Sequence, residues 1–194
     1  NVERVELARA GFPVNMPFDS VFDPVRNYLY VANAGSDDVA VVDLNTGYAR
    51  SVIPVGANPR SLILSRDRSL LFVHNVIDGT VTTIETRNLT VTDVLPISDL
   101  TIPIDTLIGT QLFHTANDSR LTTDHWVSCA NCHFDGMSDG RVWLGYGEDG
   151  RNTPVLYDLS QSAPYRWMAE WDELSDVERK IREMHGGSGL IDLP

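Results

Sequence analysis

The sequence predicts a mixed fold, with an all-β first half of repeated strand units followed by a mainly α second half. Three observations carry this reading. The first half matches itself at a constant offset of 42 residues. Beyond residue 99, strand-like alternation gives way to apolar residues at helical spacing. The only two cysteines of the 194 residues stand together in Cys129-Ala130-Asn131-Cys132-His133. The boundaries that follow are 1–98 for the repeats and 99–194 for the second half.

The repeat is read by setting Pro17 over Pro59. Leu29-Tyr30-Val31-Ala32-Asn33 then falls on Leu71-Phe72-Val73-His74-Asn75 without a gap. Val39, Val42 and Asp43 fall on Val81, Ile84 and Glu85, and Val55 falls on Ile97. A period of about 40–45 residues with several short strands per unit is the signature of propeller blades. In the first unit the strands are Ser20–Phe22, Tyr28–Ala32, Asp38–Asp43 and Ala49–Val55. Asp23-Pro24, Gly35-Ser36-Asp37 and Asn45-Thr46-Gly47 supply the turns between them. The second unit has Asp67-Arg68-Ser69, Asp78-Gly79 and Arg87-Asn88 in the matching places, and Val2–Gly11 reads as the tail of a further unit. Asp23, Asp37, Asp38 and Asp43 read as turn and solvent residues rather than a metal site, and His74 as a blade residue replacing Ala32.

Tyr30-Val31-Ala32-Asn33 and the pattern around it, over about residues 12–98, resemble the YVTN family of β-propellers. A propeller closes with roughly four to eight blades. Two alone leave unpaired strand edges, so the remaining blades are expected from the same polypeptide or from a partner chain. No catalytic cluster is visible in these blades. They read as a platform, with docking of a partner or ligand on one propeller face as the alternative.

In the second half, residues 99–102 form a linker and a helix is expected from Asp105 to about Asn117. Ile104, Leu107, Ile108, Leu112 and Phe113 give it an apolar stripe, and Asp105 is its expected N-cap. Ser119–Ser128 is a loop in which Trp126 leads into the cysteine stretch. C-x-x-C-H is the signature of c-type haem attachment. Two thiols with two residues between them reach the vinyl groups on one edge of a flat porphyrin, and the next residue, His133, reaches the iron as proximal ligand. Zinc would need about four ligands; Cys129, Cys132 and His133 are local, with His125 as a fourth. A thioredoxin-like dithiol belongs in a βαβ context, and a disulfide this short closes almost no loop.

Asp135–Gly140 is rich in turn formers, and Trp143, Gly145, Tyr146 and Gly147 follow. Leu156 and Leu159 suggest a short helical turn, and Ser162–Trp167 an extended or turning segment. A second helix is expected from Asp172 to Glu183, with Leu174, Val177 and Ile181 on its apolar face. Ser175 lies near its start and Gly186-Gly187 ends it.

An ordered string of motifs over about residues 100–191 resembles the haem domains of the bacterial di-haem cytochrome c peroxidase family. They are Ile108-Gly109-x-x-Leu112-Phe113, Ser128–His133, Asp139-Gly140, Arg151-Asn152-Thr153-Pro154, Ala163-Pro164-Tyr165 and Ile181–Gly186. Such domains occur fused to YVTN propellers, so the two resemblances support each other. The peroxidases carry two haems, whereas this chain has one C-x-x-C-H, a departure that bears against peroxidase activity. Met184 falls where the family's electron-transfer haem takes its methionine, and lies far enough from His133 to reach the opposite face. His185, His125, Met137 and Met168 are the other candidates for the distal position. Met137 follows His133 too closely to wrap round the haem. Arg141 and Arg151 are candidates for the haem propionates, since arginine suits planar carboxylates. Trp126, Trp143 and Tyr165 are candidate pocket walls. Calcium is known in the related peroxidases, but nothing in this sequence marks its ligands.

Composition bounds the function. Hydrophobic residues make up 42% of the chain, enough for a folded core. Twenty-seven acidic residues against 15 Lys+Arg give a net charge of −12, which disfavours nucleic acid and anionic membranes and favours basic partners. No apolar run approaches the length of a membrane span and no signal peptide is visible. The chain opens on Asn1-Val2-Glu3 and reads as processed or as part of a longer polypeptide. The expectation is one covalent haem c serving electron transfer with a redox partner, in a periplasmic or extracellular setting. The alternatives are a peroxidase-like or other haem oxidoreductase with an open distal site, its second haem on a partner, and a propeller scaffold with a structural haem.

Overall fold

The computed structural model describes residues 13–144 and 150–191. The blade tail expected at 2–11, and Gly145, Tyr146 and Gly147, lie outside the described residues.

Eight strands form two antiparallel four-stranded sheets, each in simple meander order. The first contains β1 (Pro17–Asp23), β2 (Tyr28–Asn33), β3 (Asp38–Asp43) and β4 (Tyr48–Pro54). The second contains β5 (Pro59–Leu64), β6 (Leu70–Asn75), β7 (Thr80–Glu85) and β8 (Thr90–Pro96). The offset of 42 read from the sequence holds in the pairing: Tyr28 faces Asp43 as Leu70 faces Glu85, and Asn33 faces Asp38 as Asn75 faces Thr80. Even the irregularities repeat. Register shifts between Pro17 and Asp19 recur between Pro59 and Ser61, and those between Val41 and Val42 recur between Thr83 and Ile84. These are two consecutive blade-like units.

The blades share one core of Tyr30, Ala32, Val39, Val41 and Ile53 from the first sheet with Leu62, Leu71, Val73 and Ile84 from the second. In β6 the alternation of the sequence is the alternation of burial: Leu71 and Val73 face in, Phe72 and His74 are half-buried. Polar atoms sew the units together. Asp19 accepts from the Leu62 amide at 2.8 Å, and Asn58 donates to the Ala34 carbonyl at 2.9 Å. Arg26 reaches its own repeat mate, donating to the Arg68 carbonyl at 3.0 Å.

The expected acidic turn residues divide in two. Asp23 and Asp43 hold turns, accepting from the amides of Val25 and Asn45, each at 2.9 Å, but Asp23 does so fully buried rather than in solvent. Asp37 and Asp38 serve the blade interior instead of solvent. Asp38 is 5% exposed and accepts from Asn33 at 2.6 Å, and Asp37 accepts from the Asn58 amide at 2.8 Å. Burial pushes both carboxyls up from their usual range.

The second half is not the mainly α domain expected from the sequence. Its one long helix is α1 (Ile104–His114), of 11 residues, and none of these is buried. Two residues of the expected apolar stripe face outward, with Ile104 64% and Ile108 46% exposed, while Leu107, Leu112 and Phe113 are half-buried. Pro103, not Asp105, occupies the N-cap position; Asp105 lies in the first turn, where a carboxylate suits the helix dipole. After α1 come the single helical turn α2 (Cys129–Cys132), a 3₁₀ turn at Phe134–Gly136 and the two-residue strands β9 (Val142–Trp143) and β10 (Arg151–Asn152). A 3₁₀ turn then covers Leu159–Gln161. The helix expected over 172–183 is a composite: a 3₁₀ turn at Leu174–Asp176, the short α3 (Val177–Lys180) and a π turn at Ile181–His185. Gly186 ends it at φ 74°.

The physical reason is that the apolar residues of this half are not gathered into a core: many of them, among them Ile104, Trp126, Val142 and Met168, stand exposed. Helices in proteins are held mainly by packing of an apolar face. Beyond residue 99 the buried apolar residues described are Ala116, Leu121, Val127, Ala130 and Ile181. That is too few to seat a helical bundle, and Asp135–Gly140 with Asn152, Pro154 and Pro164 keep the intervening chain in turns. Among the described residues no helix is long and apolar enough to cross a membrane.

The second half rests on one rim of the blades, where the β2–β3 and β4–β5 loops lie. The Ala116 amide donates to the Gly35 carbonyl at 2.7 Å and Asn117 donates to the Ser36 carbonyl at 2.7 Å. Asn15 donates to the Trp126 carbonyl at 3.0 Å.

Candidate functional site

The cysteine stretch folds as its spacing predicts. Ser128 opens α2 with its amide donating to Asn131 Oδ1 at 2.7 Å, and the His133 amide closes it on the Cys129 carbonyl at 3.0 Å. Residues three apart on a helical turn share a face, so Cys129 and Cys132 are presented together with His133 next in line. Both cysteines are free and half-buried.

Burial pushes the Cys129 thiol up, and burial followed by the Asp139 carboxylate pushes Cys132 up against the opposing pull of Arg141. Reactive cysteines of redox dithiols have depressed values, and neither thiol shows that here. Among the described residues no group of three or more His, Cys, Asp or Glu is arranged to hold a metal ion. His125 is turned to the Ala116 carbonyl, with Nδ1 at 3.0 Å.

His133 Nδ1 lies 2.9 Å from the Pro154 carbonyl. A carbonyl only accepts, so Nδ1 carries the proton and Nε2 carries the lone pair. Burial lowers the His133 pKa, which keeps the ring neutral. A neutral imidazole held through one nitrogen by a carbonyl and offering the other is the state of an iron-ligating histidine. With two neutral thiols on the adjoining turn, the donor set fits a c-type haem.

The 151–157 segment lies along the cysteine turn. Besides Pro154, the Leu156 amide donates to the Gly136 carbonyl at 2.8 Å and the Tyr157 hydroxyl to the Asp135 carbonyl at 3.4 Å. Asp139 accepts from Trp143 Nε1 and the Arg141 amide, each at 3.0 Å, and from the buried Thr153 hydroxyl. Arg141 lies over the Trp143 ring, 6.0 Å from its centroid. Arg151 pairs with Trp143 through the β9–β10 backbone.

Met184 sits half-buried in the π turn, whose end backs onto the segment leading to α2. There the Thr123 amide donates to the His185 carbonyl at 3.0 Å. Trp126 Nε1 donates to the same carbonyl at 3.2 Å, and its ring meets the His185 ring edge-on at 6.2 Å. The His185 ring also donates to the Leu121 carbonyl, and burial lowers its pKa. Met137 and Met168 are exposed. Tyr165 pairs with Trp171 in a bridge of its own.

The sequence reading missed the link between the blades and the cysteine turn. Arg60 of β5 forks onto Asp135, with Nη1 at 2.9 Å and Nη2 at 2.6 Å from its two oxygens. The Arg60 guanidinium lies over the rings of Phe18 and Phe134, at 4.9 and 5.8 Å. Those rings stack on each other with centroids 5.9 Å apart and planes 13° apart. His114 Nε2 stands 3.7 Å from Asp135. Phe18 and Arg60 occupy equivalent positions of the two repeats. That contrast was the one signal available, since nothing local ties Arg60 to residues 75 positions away.

No family model matches this sequence, and no curated protein sequence does. Among solved structures, hydrazine synthase of Kuenenia stuttgartiensis is similar at 20% identity and TM-score 0.41, over 46% of this chain and 27% of that one. Dihydro-heme d1 dehydrogenase NirN, in complex with DHE, is similar at 24% identity and TM-score 0.40, over 44% of this chain and 18% of that one. The periplasmic gluconolactonase PpgL of Pseudomonas aeruginosa is similar at 19% identity and TM-score 0.38, over 45% of this chain and 28% of that one. The chain thus spans less than a third of each structure's length, and likenesses at these scores say nothing about activity.

Proposed function

We propose that this chain carries one haem c, joined to Cys129 and Cys132 and ligated by His133, and serves electron transfer from a β-propeller scaffold. The observation that carries the reading is the His133 imidazole, held through Nδ1 by the Pro154 carbonyl beside two cysteines on one turn. When bound, such a haem supplies a one-electron couple at iron.

The chain's own residues would do the rest. Cys129 and Cys132 anchor the group, and Pro154 holds the ligand ring. Met184 is the proposed distal ligand. Arg141 and Arg151 are proposed for the propionates, and Trp126 and Tyr165 for the walls. Large apolar side chains near the motif in sequence stand exposed, among them Trp126, Phe134, Met137, Val142 and Leu144; they offer the apolar surface that a porphyrin needs. Covalent haem attachment of this type implies a periplasmic or extracellular setting, and the acidic surface favours a basic redox partner.

The scaffold role rests on the two blades and the rim that seats the haem turn. β8 is exposed along its whole length, which supports the proposal that further blades, from the same polypeptide or a partner chain, continue the propeller.

The test is an optical redox titration of the protein produced with c-type maturation. A reversible low-spin couple, turned high-spin by Met184→Ala, is the expected result. A high-spin ferric form in the unaltered protein that reacts with peroxide would overturn electron transfer in favour of an enzyme.

A further inference from the structure

Resting on that reading, we infer that the second blade takes part in the redox site: Arg60 is a positioning residue for the proximal ligand, and its pairing with Asp135 sets part of the haem's potential. Four observations meet here. Asp135 is two residues beyond His133, in the 3₁₀ turn that His133 caps. That turn is closed by the Gly136 amide on the His133 carbonyl at 3.0 Å. Arg60 grips the Asp135 carboxylate with both guanidinium nitrogens, so it fixes direction as well as distance. Its plane is held in turn by Phe18, Phe134 and the Asn58 side chain.

His133 is therefore steadied from two sides. Pro154 holds its ring, and the blade holds the turn that carries its backbone. The arrangement is electrostatic as well as steric. Asp135 is 44% exposed and Arg60 only 17%, so the guanidinium neutralises a carboxylate that stands just past the iron ligand. An uncompensated negative charge there favours oxidised iron and lowers the potential. An uncompensated positive charge raises it.

The test is a double-mutant cycle on the haem-loaded chain with Arg60→Met, Asp135→Asn and the two combined. Arg60→Met is expected to shift the redox equilibrium about threefold towards the oxidised form, about 28 mV for one electron. Asp135→Asn is expected to shift it by a similar factor the other way, and the double variant to return towards the parent. A pair that only docks two parts of the chain would leave the potential of both folded, haem-loaded single variants unchanged, and that result would overturn the inference. Arg60→Lys keeps the charge and loses the fork, and serves if Arg60→Met does not fold. It is expected to broaden the proximal-histidine signature with a smaller shift in potential, and a signature like the parent's would count against positioning.

A haem-free readout separates this inference from the functional reading. In the chain produced without maturation, Arg60→Met is expected to raise the maleimide labelling rate of Cys129 and Cys132 about tenfold. An unchanged rate would sink the positioning role whether or not the parent takes haem. A parent without haem c would sink the functional reading and the effect on potential, while the labelling rate would still decide whether Arg60 positions the turn.

Discussion

Asp23→Asn probes the polar pairing that ties the two blades together. The Asp23 side chain is fully buried, and its carboxylate accepts from Arg26 Nη1 at 2.7 Å and from the Val25 amide at 2.9 Å. The same Arg26 nitrogen donates to the Arg68 carbonyl in the other blade. Burial alone would push the Asp23 carboxyl up, but the Arg26 side chain and the Val25 and Arg26 amides outweigh it and hold the pKa below the usual value. A hydrogen bond to a charged group contributes about 1.5–3 kcal/mol. Asparagine retains one acceptor but no charge, so a loss of about 2 kcal/mol is expected at pH 7. For a chain of 194 residues this is about 4–8 °C in Tm.

The pH dependence has a definite sign. A carboxyl whose folded pKa is depressed stabilises fully above its unfolded value, near 4, and loses that contribution as pH falls through its folded value. Urea unfolding at pH 7 and pH 3 should therefore show a gap between parent and variant that narrows at pH 3. An equal gap at both, or none at pH 7, would refute the reasoning, because either would mean that the ionised pair is not what Asp23 contributes.

Other substitutions test the remaining joints. Leu71→Ala, at a fully buried position in the shared core, should cost about 2–5 kcal/mol in urea unfolding, with both blades losing structure together by far-UV circular dichroism. A Cβ at Gly187 would collide with the Arg120 carbonyl, so Gly187→Ala should cost about 1–3 kcal/mol and speed hydrogen exchange at Thr123, which the neighbouring His185 carbonyl holds. Asn131→Ala removes the acceptor that caps α2 at Ser128 and should cost about 1 kcal/mol, read as a lower yield of haem-loaded protein.

The β half was legible because its signal is periodic and local. Leu29–Asn33 and Leu71–Asn75 match by eye, and the structure carries that match down to paired register shifts. The second half misled for a physical reason. Ile104, Leu107 and Ile108 have helical spacing, but spacing tells which residues share a face and not whether anything covers it; α1 forms, yet it buries none of its residues. The cysteine turn was legible because Cys129, Cys132 and His133 stand close together in the sequence. Pro154 contributes a backbone carbonyl, which residue identity does not advertise. Arg60 acts across 75 positions, so only the contrast of Phe18 with Arg60 between repeats hinted at it. Asp38 reads as a turn residue and is buried, because its partner Asn33 lies across the β2–β3 turn.

The most direct measurement is the mass of the peptide that carries Cys129 and Cys132, from protein produced with c-type maturation. The account predicts one haem on that peptide, retained under denaturing and reducing conditions, and none in the Cys129→Ser/Cys132→Ser variant. An unmodified peptide with two free thiols, from cells that load other c-type proteins in parallel, would contradict it.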